Sequence, residues 1–483
     1  MALIIHNNIL SNKDKEITVD YKYLILLCSL LFIHLLGLYK PFFAFGVSLV
    51  EALIIILLLM LNKVDKALLA LGTIVIATYD NAFFFAEPFG NERLFSIINL
   101  PFLSNYFILV ITLLFSPKPL LWLIKNYTSS MPILVKFGFW TMIVGLCVCI
   151  LSFLSGNLYF PALRTDLTSL VLSSLWTIIF FYHFTHKKNL AFQYEKLVFH
   201  SIIAYIIVGF ITSSLGVFLV RGARELYLLL PLASFFISSV LLFSDKVEKF
   251  SDKIFILLLA ILVIYFQLFY DSCLNGKSWI VFSCVLLVKV LNILNKHIKN
   301  IYAVLMLSVL TCVLLFSIFS SSINEYINKS ENEKLLEFVS IFDSAKSGDI
   351  DDMGDSAQFR IIEFISISEY YLDNPLHFIT GKGIGGYVPN YGYFPFSLTA
   401  FTENQFADNK FYSMHETINV TYLKFGIWGL LYLMALLIDI VKNVNKSPWF
   451  FVGGVWVVFF WSYSLNILFF ALPMLVFAYV YKK

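Results

Sequence analysis

The chain has 483 residues, of which 59% are hydrophobic and 13% are charged, and its formal net charge is +3. This composition excludes an ordinary soluble domain, because no soluble fold needs so large an apolar fraction. Apolar runs of about 18 or more residues, each long enough to cross a bilayer, recur along most of the chain. A transmembrane β-barrel would show short alternating segments instead, so the sequence predicts an all-α, polytopic integral membrane protein.

The apolar runs predict about fourteen transmembrane helices. Helices one to eleven fall in residues 1–320, one large extracytoplasmic loop with short helices occupies 321–414, and the last three helices fall in 415–483. The predicted spans are roughly 22–39, 43–62, 67–86, 98–116, 132–154, 166–184, 196–219, 226–243, 254–271, 279–294, 301–320, 415–441, 448–463 and 465–481.

Lysines predict the orientation of these helices in the membrane. They mark alternate short loops, for example at Lys63, Lys125, Lys187 and Lys442. The positive-inside rule places such loops in the cytoplasm, so both termini are predicted to be cytoplasmic. The opposite, outer side receives the loops at 87–97, 155–165, 220–225, 272–278 and 321–414.

Arginine is scarce, and every arginine falls on the predicted outer side: Arg93, Arg164, Arg221, Arg224 and Arg360. A guanidinium binds phosphate oxygens through two parallel hydrogen bonds, so this distribution predicts an anionic ligand at the outer membrane surface. Arg221 and Arg224, three residues apart, could clamp a phosphate or diphosphate. The alternative is that they anchor helix ends, paired with Glu225. Arg164 either joins the same site or pairs with Asp166.

The large loop and the helix after it contain further candidates. His415 opens a predicted helix, where a neutral imidazole could take a proton from a sugar hydroxyl; a plain helix-start histidine is the alternative. Residues 359–372 predict an amphipathic helix on the membrane surface that ends at Asp373-Asn374-Pro375. The glycines of 381–386 predict a tight turn through which the backbone approaches the membrane surface or a substrate. The cysteines show no zinc spacing, and we expect neither a metal nor a cofactor.

The stretch H-E-T-I-N-V-T-Y-L-K-F-G-I-W-G, from His415 to Gly429, resembles the signature of the bacterial O-antigen polymerase and O-antigen ligase family. Gly426 and Gly429 keep the family's spacing from the histidine. Upstream, Arg360 followed by D-N-P-L and G-K-G resembles the family's arginine helix and the turn after it. One position departs from the pattern, because Glu416 stands where the family usually has asparagine.

The resemblance implies a GT-C-like membrane enzyme that uses an undecaprenyl-diphosphate-linked oligosaccharide on the periplasmic face of the inner membrane and needs no metal. Arg360 and His415 map onto catalytic positions of the family, and Arg221 and Arg224 match its arginines at the membrane edge. We therefore expect a polysaccharide polymerase that works among membrane lipids, with a chain-length regulator and a flippase as candidate partners and no nucleic acid.

Two alternatives stay open. An O-antigen ligase, which transfers the finished glycan to lipid A–core, shares the fold and the site. A flippase or transporter belongs to another class and is expected to have ionisable residues deep in its helices. The sequence shows few of these, notably Glu51 and Asp80. This scarcity favours an enzyme over a transporter.

Overall fold

A computed structural model gives the fold of the chain. It describes residues 18–39, 41–77, 104–128, 131–154, 158–214, 249–269, 355–389, 403–412 and 416–443, together with a few single residues elsewhere.

Helices account for most of the described residues, and the all-helical prediction is confirmed for this part of the chain. In chain order they are α1 (Tyr21–Tyr39), α2 (Pro41–Met60), α3 (Val64–Ile76), α4 (Ser104–Phe115), α5 (Pro117–Asn126), α6 (Ile133–Leu154), α7 (Phe160–Asp166), a π-helical turn (Leu167–Val171), α8 (Leu172–His186), α9 (Lys188–Ser214), α10 (Phe250–Phe269), α11 (Asp355–Asp373), α12 (Pro375–Thr380), α13 (Glu403–Ala407) and α14 (Thr417–Asn443).

Several described helices are long and apolar enough to cross a membrane. They are Ile133–Leu154, Phe160–His186, Lys188–Val208 and Thr417–Ile440, and the pair Leu109–Phe115 and Pro117–Asn126, bent by 54°, brings the described total to five if it counts as one span. By length and composition these helices could cross a membrane, which suggests a helical membrane protein. The full number of fourteen spans and the GT-C-like arrangement remain predictions.

The predicted boundaries agree best where the apolar run has clear polar ends. The expected span at 132–154 is α6, and the expected span at 415–441 is α14. The span expected at 98–116 ends at Phe115, where Ser116 and two prolines begin α5. Proline is favoured in the first turn of a helix and disfavoured inside one, which explains the bend. The expected spans at 226–243, 279–294, 301–320, 448–463 and 465–481 lie wholly or mostly outside the described residues.

Two predicted helices begin earlier than expected. The run expected at 166–184 begins at Phe160 and passes through the π-helical turn, and the run expected at 196–219 begins at Lys188. Arg164 therefore lies in the last turn of α7 and does not begin a helix. Hydropathy placed both starts too late, because polar and charged residues interrupt the first turns of each helix, namely Arg164 and Asp166 in one and Gln193, Glu195 and Lys196 in the other.

The chain forms two compact units, one from 1–79 with 187–289 and the other from 80–186 with 290–483. The sequence-based division of the chain at 320 and 414 separates membrane helices from the large loop, and it remains a prediction. In the first unit α1 packs against α9 and α2. Glu51, the charge that we expected inside a helix, accepts a hydrogen bond from the buried His34 ring at 2.7 Å.

In the second unit α6 packs against α8 and α14, while α11 and α12 pack against α14. The predicted helix at 359–372 is confirmed, as is its end before Asn374. Its apolar face does not simply lie on a membrane surface, however. Ile367 and Tyr371 are buried, and Phe364 stacks on Tyr422 of α14 at 4.9 Å.

Candidate functional site around the start of α14

Arg360 and Glu416 form an ion pair between α11 and the start of α14. The Arg360 Nε donates to a Glu416 carboxylate oxygen, although the two residues are 56 positions apart. Their side chains keep 29% and 17% of their exposure, so the pair is partly open to a ligand. The structure thus brings the predicted arginine against the residue that follows His415.

A buried amide fixes the backbone beside this pair. Asn419 Nδ2 donates to the Arg360 carbonyl oxygen at 2.9 Å and to Glu363 Oε2 at 2.8 Å. Glu363 is fully buried. If the amide moved away, both acceptors would stay buried without a donor, so this contact holds α11 at one position along α14.

A break in α14 lies two turns after its start. Gly426 has φ 58° and ψ −144°, which interrupts the helical hydrogen bonds. The carbonyl oxygens of the preceding turn then need other donors, since the membrane interior offers no water. Lys382 N donates to Leu423 O, and Gly383 N donates to Lys424 O, each at 2.9 Å. Tyr371 OH donates to Tyr422 O and Leu423 O at 2.9 Å.

The glycine segment 381–386 therefore donates hydrogen bonds to α14 and packs against it. A Cβ at Gly381 would lie 2.3 Å from the Lys424 carbonyl carbon, and one at Gly383 would lie 2.3 Å from Val148 Cγ1. The predicted tight turn is confirmed, since Gly381, Gly383 and Gly385 all have positive φ. Gly381 lies against α14 and Gly383 against α6. The expectation that the backbone of this turn approaches the membrane surface or a substrate stays a prediction.

A buried ion pair that sequence reasoning missed lies under this segment. Lys424 Nζ is 2.6 Å from Asp166 Oδ2, and the two side chains are 0% and 4% exposed. Lys424 Nζ also donates to Gly386 O at 2.7 Å, and Gly385 N donates to Asp166 Oδ2 at 2.7 Å. One lysine and one aspartate thus join α14, the glycine segment and the end of α7.

Both partners stand next to an irregular backbone. The π-helical turn begins directly after Asp166, and Gly426 follows Lys424 by two residues. Both lie in runs that could span a membrane, Phe160–His186 and Thr417–Ile440. The signal in the sequence is a lysine inside an apolar run, which differs from the lysines that mark the predicted cytoplasmic loops.

The remaining predicted site residues are placed as follows. Arg164 is exposed in α7. Asp166 Oδ2 is held by Lys424 and Gly385. The alternatives for Arg164, pairing with Asp166 or joining the arginine site, stay predictions. Arg221, Arg224 and His415 lie outside the described residues, so the convergence of the arginines and the role of the histidine stay predictions.

The loop between α6 and α7 contacts the large loop. Tyr159 OH donates to Asp408 Oδ2 at 2.5 Å, and its ring contacts those of Tyr387 and Tyr412. Burial and the neighbouring Asp408 carboxylate raise the pKa of Tyr159 well above its usual range, so it acts as a neutral donor. Both segments were predicted to lie on the outer side, and the contact is consistent with that assignment.

No group of His, Cys, Asp or Glu within the described ranges is arranged to hold a metal ion. Asp349 and Asp351 have the D-x-D spacing found in many metal sites, and they lie outside those ranges. The expectation that the protein needs no metal therefore remains a prediction.

No family model matches this chain, and no characterised protein or solved structure is significantly similar to it.

Proposed function

We propose that this protein is a metal-independent membrane glycosyltransferase that polymerises polyprenyl-diphosphate-linked oligosaccharide repeat units at the periplasmic face of a bacterial inner membrane. The supporting observation is that the two parts of the resembling stretch meet at α14. Arg360 is ion-paired with Glu416, and Gly381 lies against the break at Gly426. If the resemblance in each segment were due to chance, there would be no reason for the two segments to contact each other in the fold.

The proposed reaction uses the groups at the outer end of α14. An acceptor hydroxyl attacks the anomeric carbon of the donor sugar, its proton passes to His415, and the bond to the diphosphate oxygen breaks. Arg360 stabilises the charge that develops on the leaving diphosphate, with Arg221, Arg224 and Arg164 as further diphosphate-binding candidates. The Arg360 guanidinium exchanges Glu416 for phosphate oxygens when the donor binds.

A transporter or flippase is the second candidate, and one observation favours it. Lys424 and Asp166 form a buried ion pair between two interrupted helices that could span a membrane. Ionisable residues beside broken helices are typical of transport sites. Lys424 adds one ionisable residue deep in a helix to Glu51 and Asp80, so such residues are less scarce than the sequence indicated.

The test is the lipopolysaccharide of a strain that lacks the gene, separated by gel electrophoresis. A core with one repeat unit supports the polymerase. Bare core with polymer left on the carrier lipid identifies a ligase, and bare core with single repeat units held on the cytoplasmic face identifies a flippase. An unchanged pattern contradicts all three. The strain complemented with the wild-type gene is the control.

A further inference from the structure

A cluster of tyrosines and lysines lies on the same side as the candidate site. It contains residues of the loop before α7 and of the two described parts of the large loop, 355–389 and 403–412. It has no role in the reaction proposed above. We call it the tyrosine–lysine cluster; its members are Tyr159, Tyr370, Tyr387, Tyr412, Lys382 and Lys410.

Tyr387 stands between the two ammonium groups. Lys410 Nζ lies 5.1 Å from the centre of the Tyr387 ring and 4.6 Å from that of Tyr159. Lys382 Nζ lies 5.7 Å from the centre of the Tyr387 ring and 4.9 Å from that of Tyr370. Aromatic rings attract cations at these distances, by about 0.5 to 1 kcal/mol at exposed sites. Two positive charges are therefore held close to one ring.

These charges lack acidic partners among the residues that the structure describes. The ion pairs found there involve other lysines and arginines, and none includes Lys382 or Lys410. The nearby Asp408 carboxylate accepts a hydrogen bond from the Tyr159 hydroxyl. Lys382 Nζ donates to the Tyr370 hydroxyl at 2.8 Å. With two ammonium groups against one carboxylate the cluster has a net positive charge, and the side chains of Tyr370, Tyr387 and Tyr412 are partly exposed.

The neighbouring His377 does not change the net charge of the cluster. His377 stacks on Tyr370, with ring centres 5.9 Å apart. Burial, and then the charge of Lys382, lower the pKa of His377, so that its ring is neutral near pH 7. The positive charge of the cluster thus belongs to the two lysines and not to His377.

We propose that the tyrosine–lysine cluster binds an acidic sugar, whose carboxylate lies between Lys382 and Lys410 while its ring packs against tyrosine. Tyrosine faces accept the apolar face of a pyranose, and two ammonium groups select a negative charge. The inference rests on the proposed function for the identity of the ligand as a glycan. It adds that the repeat unit contains an acidic sugar.

The test is a binding measurement on the purified full-length protein in detergent, by saturation-transfer NMR. The probes are oligomers of galacturonate and glucuronate, with maltotriose as a neutral oligosaccharide and inorganic phosphate as a plain anion. We expect an acidic oligomer to bind, maltotriose to bind at least about fivefold more weakly, and affinity to fall with added salt. Lys410→Gln and Lys382→Gln should each weaken binding about fivefold, while Lys410→Arg, which keeps the charge, should retain it.

Lys125→Gln is the matched control, since Lys125 is exposed at the end of α5 and belongs to a loop predicted on the other side. The inference is overturned if the acidic oligomers do not bind, if maltotriose or phosphate binds equally well, or if both Gln variants bind like Lys125→Gln. Because no turnover is measured, the two proposals fail separately. Binding with an unchanged lipopolysaccharide pattern removes only the polymerase, and a single-repeat pattern without binding removes only the acidic sugar.

Discussion

Arg360 is ion-paired with Glu416 of its own chain. Asn419 donates a hydrogen bond to the backbone carbonyl oxygen of Arg360 and so fixes the position of that residue. Carboxylate and phosphate oxygens both accept hydrogen bonds from a guanidinium, so under the proposed function the diphosphate of the donor takes the place of Glu416. In that proposal the ion pair holds Arg360 in position until the donor binds.

The first prediction follows from this geometry. Arg360→Lys should reduce chain extension on the order of a hundredfold, because an ammonium cannot give two-pronged contacts to the leaving diphosphate. The measurement is the lipopolysaccharide ladder of a complemented deletion strain, with protein quantified in the membrane fraction. Arg93→Lys, at the other edge of the predicted outer side, is the matched control and should give a normal ladder. A normal ladder from Arg360→Lys leaves only a structural role for this residue.

The second prediction concerns His415, the neighbour of Glu416. As general base it should contribute roughly a hundred- to ten-thousand-fold in rate. His415→Ala and His415→Gln should both abolish extension while the protein still accumulates, since glutamine hydrogen-bonds but takes no proton at neutral pH. His377→Gln is the control, because His377 lies in the same loop with its Nδ1 near Gly381 O. Near-normal activity of His415→Gln would mean that the histidine only positions the substrate.

Sequence reasoning at the scale of single residues depends on how rare a residue type is in the chain. Arg360 was singled out because arginine is scarce, and its role stays a prediction. Lys424 was missed because lysine is frequent, and its partner Asp166 is far away in the sequence. No local pattern links two charges on different helices; only the fold, which brings the end of α7 and the glycine segment to Lys424, does so.

At the scale of the helix, the break in α14 is the feature that holds the candidate site together. It frees the carbonyl oxygens that bind the glycine segment, and that segment in turn covers Lys424. The positions of α6 and α14 followed from apolar length alone. The break did not, because glycine is common in membrane helices and its φ depends on the neighbour that packs against it.

The third prediction tests this break. Gly426→Ala should destabilise the protein, because alanine disfavours positive φ and its Cβ would lie 2.4 Å from Phe378 O. The strain alone is about 1 to 3 kcal/mol. Gly46→Ala in α2 is the matched control, since a Cβ there meets nothing within 4 Å. Thermal unfolding in detergent should show a lower midpoint for Gly426→Ala only; equal midpoints would contradict the break.

The fourth prediction concerns the buried ion pair. Lys424→Met or Asp166→Leu alone leaves one charge buried without its partner, which costs about 3 to 5 kcal/mol. The double variant removes both charges and should recover most of that loss, because an apolar pair needs no compensation. Thermal unfolding of the two single variants and the double variant measures the coupling. Additive losses would show that the two side chains do not depend on each other.

At the scale of the whole molecule, contacts within the second unit agree with the sidedness that lysines predict. Tyr159 and Asp408 join two predicted outer loops. At the other end of α8, Trp122 contacts His186, with ring centres 5.3 Å apart, and both belong to predicted cytoplasmic segments. The distribution of lysines does not determine which side chains contact each other, so the two observations support the same sidedness separately.

The last prediction tests that orientation directly. Phe160–His186 has 27 residues and, at about 1.5 Å per residue, is long enough to separate the two sides. In a cysteine-free background, Ala407→Cys should react with a membrane-impermeant thiol reagent in cells whose outer membrane is permeabilised. Asn126→Cys should react only after lysis. Both positions are exposed in the structure, so a lack of reaction reflects the membrane and not burial. The reverse pattern would place the candidate site in the cytoplasm, where a periplasmic polymerase could not work.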